Sequence, residues 1–112
     1  MKKRAIRVGA LTATVLVAMS LAAGLAKAQG SAPATFKSKC AACHGVDGKG
    51  QTAVGKSLGI RDLASAVTQK MSDADLEQII TKGKNQMPAY GDSLKAPDIK
   101  DLVQYVRAFA QK

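Results

Sequence analysis

The chain has 112 residues, enough for one small domain, and carries 17 Lys and Arg against 8 Asp and Glu, a formal net charge of +9. Hydrophobic residues make up 46%, with two Phe, two Tyr and no Trp. No Rossmann, P-loop or HExxH pattern occurs, which leaves no motif support for those classes, and the basic residues form no clustered stripe of the kind a nucleic-acid binder needs.

The first element read along the chain is a targeting segment. Lys2, Lys3, Arg4 and Arg7 give a basic start, "VGALTATVLVAMSLAAGLA" an apolar run, and Ala26-Lys27-Ala28 a small-x-small site. These are the three parts of a secretory signal. The expected division is a signal peptide over 1–28, cut after Ala28, and one domain over 29–112. An uncleaved anchor is the other reading of the same run. Cleavage leaves 12 basic residues against 8 acidic ones, a net +4, suited to steering toward an acidic partner. The 84 residues that remain hold little aromatic mass, and a domain that small usually needs a staple.

The remaining signals are helical, with no period-2 strand pattern. A first short helix is expected from about Pro33 to Cys43. A Gly-rich loop follows, "HGVDGKGQTAVGKSLG", broken by Gly45, Gly48, Gly50, Gly55 and Gly59. A helical turn or two is expected over Ser65 to Lys70. A clearer helix starts at Ser72, where Ser72 and Asp75 resemble a capping box, and Gly83 stops it. Pro88 disfavours helix at Met87. The last helix opens with Pro97 at its first position and Asp98 in its first turn, and Ile99, Leu102, Val103, Val106 and Phe109 form one stripe. The two long loops should wrap something.

Both cysteines and the only histidine fall in Cys40-Ala41-Ala42-Cys43-His44. A disulfide across so short a loop gives little stabilisation. A closed zinc site needs four ligands, and a thioredoxin-like pair expects a βαβ context. C-x-x-C-H instead reads as c-type haem attachment. Thiols at i and i+3 lie on one side of a helical turn, placed to add to the two vinyl groups, and His44 follows as the proximal iron ligand. Two modes stay open: a five-coordinate haem that binds ligands or acts on peroxide, and a six-coordinate haem that passes electrons. Met87, in a loop held extended by Pro88, is the candidate second ligand, because His/Met ligation is an electron-transfer pairing. Met71 reads as a filler of core gaps.

"CAACHG", "GKNQMPAYGDSL" and "IKDLVQYVRAFA" occur in the order of the haem-binding, axial-Met and C-terminal-helix blocks of a class I cytochrome c, and residues 31–112 resemble that family. The resemblance implies an all-α cytochrome c fold, three to four short helices and long loops around one haem. It implies thioether anchors at Cys40 and Cys43 and axial ligands at His44 and Met87, with no catalytic residues. Phe36 would pack across Leu102 and Tyr105, each buried side chain contributing roughly 1.5–3 kcal/mol. Ala32 stands where relatives often have Gly, and Gly55-Lys56-Ser57-Leu58 where many have Gly-Pro-x-Leu. The implied function is that of a periplasmic, monomeric, non-enzymatic electron carrier with haem c as cofactor. Its redox partners would present acidic docking surfaces. It would take no nucleic acid, and it would have no stable membrane insertion once cut. Lys37, Lys39, Lys49, Lys56, Lys84 and Lys95 fall in segments flanking the haem motif or the Met loop, and some of them are expected to form a positive rim around the haem edge.

Overall fold

The computed structural model describes residues 31–112; the expected signal segment, its cut after Ala28 and the first two residues of the domain lie outside them. Five helices make up the described chain. The first, α1, is α-wound over Ser31–Thr35, π-wound over Phe36–Cys40 and α-wound again over Ala41–His44. Then come α2 (Ala53–Leu58), α3 (Ala66–Gln69), α4 (Asp73–Lys82) and α5 (Ala96–Ala108), which ends in a 3₁₀ turn over Phe109–Gln111. Among the described residues there is no strand beyond one antiparallel bridge between Lys84 and Met87. No helix among them is long and apolar enough to cross a membrane.

The helix termini follow local chemistry. The Ser72 hydroxyl accepts from the Asp75 N–H at 3.0 Å and opens α4, satisfying one of the orphan donors of its first turn. The cap is one-sided, without the return bond of a full capping box. Gly83, at φ 75°, closes the helix. At α5 the Asp98 carboxylate accepts from the Lys95 N–H at 3.2 Å. Pro97 is the second helical residue there, one later than expected.

Two features depart from the sequence reading. The helix expected over Pro33 to Cys43 is already formed at Ser31, runs through His44, and contains a wide turn in which the Ala41 N–H donates to the Phe36 carbonyl five residues back. Such a bulge re-aims the side chains that follow it, and bulges of this type recur at functional sites. The Gly-rich stretch is also not all loop. Thr52 caps α2, and Gly55 sits inside that helix rather than breaking it. A Cβ at Gly55 would run into the carbonyl oxygens of Cys43 and Gly50. Only a glycine allows that approach.

The core is divided. One cluster is Ala32, Phe36, Ala41, Leu102 and Phe109, where α1 packs across α5. The Phe36 ring lies 5.2 Å from Tyr105 and 5.4 Å from Phe109, centroid to centroid, in tilted arrangements. Rings at such separations gain beyond their buried area. The second cluster is Leu76, Val103 and Val106, where α4 meets α5, and Met71 packs against it. All five stripe residues of the last helix are buried. Leu63 and Ile80 touch both clusters, and the space between them is a cavity.

Candidate haem site

The cavity has a volume of about 360 Å³, within the range of small-molecule sites. Cys40 and His44 from α1 line one part of it, Met71, Leu76, Ile79 and Ile80 another, and Met87 a third. A smaller adjoining hollow is lined by both cysteines, His44, Met87 and Tyr90. The four residues singled out in the sequence therefore converge on one place, although Met87 is 43 positions from His44.

The histidine is held by its backbone. Its carbonyl accepts from the Gly50 N–H at 2.7 Å, which folds the loop back under the motif. The Thr52 hydroxyl donates to the Ala42 carbonyl at 2.8 Å and accepts from the Gly55 N–H at 2.9 Å. Thr52 thus ties α2 to the motif. Burial pushes the His44 pKa down, which favours the neutral ring that a metal needs. Its Nδ1 is buried with no hydrogen-bond partner among the described residues, and such an atom asks for an explanation.

Met87 lies in a tight hairpin. Met87 N–H donates to the Lys84 carbonyl at 2.9 Å and Lys84 N–H to the Met87 carbonyl at 3.1 Å. Asn85 makes the turn with φ 53°. A Cβ at Gly83 would lie 2.6 Å from the Met87 carbonyl oxygen, so the helix end packs directly on the loop. Downstream, Tyr90 N–H donates to Ile80 and Gly91 N–H to Thr81, at 2.9 and 3.0 Å. The Tyr90 hydroxyl donates to the Lys39 carbonyl at 2.9 Å.

The chemistry of the site fits a haem held by this chain. An apolar-walled cavity, two free thiols at one edge, a neutral imidazole and a thioether are the donor set of a c-type centre. Burial raises the Cys40 pKa, against the opposing influence of Lys39. Of the six lysines some of which were expected at the haem edge, Lys39 and Lys84 line the two hollows, and Arg61 joins them. Lys37, Lys49, Lys56 and Lys95 are exposed elsewhere. Sequence reasoning missed Thr52, a residue type favoured at helix N-caps, and the reach of Tyr90 to Lys39, which has no local signal at all.

A family model described as "Cytochrome C oxidase, cbb3-type, subunit III" matches residues 28–106. The chain is 38% identical over 80 residues to cytochrome c6 of Microcystis aeruginosa, covering 69% of this chain and 91% of that protein. The chain belongs to the class I c-type cytochromes. Cytochrome c6 of Thermosynechococcus vestitus is 33% identical over 112 residues, 100% of this chain and 96% of the relative. The solved structure of the KustC0563 c-type cytochrome superposes with a TM-score of 0.65 at 35% identity, covering 70% of this chain and 95% of that one. The cytochrome c fold expected from sequence is thus the fold found, and the cofactor is covalent haem c.

Proposed function

We propose that this class I cytochrome c is a His/Met-ligated electron shuttle, exported by a signal peptide over residues 1–28 and acting as a monomer in the periplasm. Haem c bound in the cavity supplies a one-electron ferric/ferrous couple. Cys40 and Cys43 would hold it by thioethers. His44, whose Nδ1 is buried, would ligate it through Nε2, and Met87 would do so from the hairpin. Held by these two side chains, the group would supply electron transfer and no turnover of a substrate. Leu76, Ile79 and Ile80 give the cavity apolar walls.

The observation that carries this reading is the meeting of Cys40, His44 and Met87 on one cavity. Lys39, Arg61 and Lys84 at its rim favour an acidic redox partner, held in a small and salt-dependent encounter. Met87→Ala in the haem-loaded protein tests the ligand assignment. The expected result is loss of the thioether-to-iron charge-transfer band and a lower reduction potential. An unchanged ferric spectrum and potential would remove Met87 from the iron and favour a ligand-binding or peroxidatic centre. Mass spectrometry of the exported protein reads the cut after Ala28 and the haem addition together.

A further inference from the structure

We propose that the Tyr90 hydroxyl is a positioning group for Met87, a latch that ties the methionine loop to the helix bearing the haem cysteines. This rests on Met87 being the second ligand. The loop is otherwise fastened on one side only. Upstream, the Lys84–Met87 bridge closes the hairpin directly after α4, and downstream the Tyr90 and Gly91 N–H groups donate to Ile80 and Thr81, both on α4. Every one of these bonds fixes the loop to α4 or to itself. None fixes its distance from α1, where His44 sits.

The Tyr90 side chain makes that connection. Its hydroxyl donates to the Lys39 carbonyl at 2.9 Å, across 51 positions of sequence. Lys39 immediately precedes Cys40, in the π-wound turn of α1. Tyr90 also shares the smaller hollow with Cys40, Cys43, His44 and Met87. Among the described residues, the hydroxyl is therefore the one polar contact holding the methionine side of the site at a set separation from the cysteine side. Losing it frees the loop to swing on its α4 fastenings, which carries Met87 outward.

Tyr90→Phe in the haem-loaded protein removes the donor and keeps the ring. The ferric protein is titrated with imidazole, and displacement of Met87 is followed by the thioether-to-iron charge-transfer band. Removing one hydrogen bond is expected to lower the imidazole concentration at half-displacement about two- to tenfold. Tyr105→Phe is the control, since the Tyr105 hydroxyl makes no hydrogen bond among the described residues, and it should leave the half-displacement concentration unchanged. A Tyr90→Phe protein with wild-type displacement overturns the latch, whether or not its unfolding midpoint falls. Absence of the band from the unaltered protein overturns the ligand reading and the latch together.

Discussion

Arg107 and Asp73 meet at 2.7 Å, and the guanidinium that makes this contact also donates to the carbonyls of Gln69 at 2.9 Å and Met71 at 2.6 Å. One side chain of the last helix thus fastens the end of α3, the turn bearing Met71 and the first residue of α4. The Gln69 side chain completes the junction by donating to Leu63 and Val106 carbonyls at 2.7 and 3.1 Å. Met71 lines the haem cavity, so the clasp sets one of its walls.

Arg107→Ala is expected to destabilise the haem-loaded protein by about 1.5–3 kcal/mol, the scale of hydrogen bonds to a charged donor. Most of this comes from the two carbonyls left without partners rather than from the half-exposed carboxylate, because exposed ion pairs contribute little. Arg107→Lys should recover only part, lacking the planar fork. Denaturant unfolding of the three proteins decides it.

The same pair predicts an acid-side dependence. The hydrogen bond from Arg107 holds the Asp73 carboxyl below the ordinary carboxylate range. A depressed folded-state value contributes stability above the unfolded pKa of about 3.9, and that stability is lost as pH falls through the folded value. The difference in unfolding midpoint between wild type and Asp73→Asn should hold constant above about pH 5 and narrow below about pH 4. A difference that stays level down to the acid transition would contradict the assignment.

Gly55→Ala should impair haem maturation. The added methyl meets two backbone oxygens, one of them on Cys43, and neither can turn aside as a side chain would. Overpacking of this kind costs about 1–3 kcal/mol. The strain falls on the attachment motif, so mass spectrometry should find a reduced fraction of chain bearing covalent haem. Full haem loading with unchanged stability would refute this.

A chain without haem is expected not to hold this fold. An unfilled apolar cavity costs roughly 24 cal/mol per Å³, about 9 kcal/mol for about 360 Å³ as an upper figure, since this cavity opens to solvent. That is comparable to the entire stability of a small domain, about 5–15 kcal/mol. The Cys40→Ala, Cys43→Ala double variant should show no cooperative thermal transition by circular dichroism. A sharp two-state melt would show that the two clusters suffice alone.

What could be read from the sequence was what local chemistry controls. Ser72, Gly83 and the spacing of Ile99, Leu102, Val103, Val106 and Phe109 each specify their part of a helix within a few residues. The C-x-x-C-H cluster and Met87 could be singled out the same way, since motif and Pro88 act over five or six positions, and the structure brings them to one hollow. The rest depends on partners far along the chain. Gly55 reads as a breaker until the carbonyls of Cys43 and Gly50 are brought against it. The π-wound turn between Phe36 and the motif is stated by no window of residues. Which lysines reach the cavity follows from loop paths, and of the six candidates Lys39 and Lys84 do.

The fastening of both proposed ligands has a kinetic meaning. His44 stands on backbone bonded to Gly50 and braced through Thr52, and Met87 stands on a hairpin seated against Gly83 and tied to α1 through the Tyr90 hydroxyl. These bonds would restrain both segments if a haem held between them gained or lost one charge. Dipoles already in place need no rearrangement at the moment of reaction. A carrier built this way would exchange electrons with little nuclear motion, and so would answer quickly to partners whose potentials differ only slightly from its own.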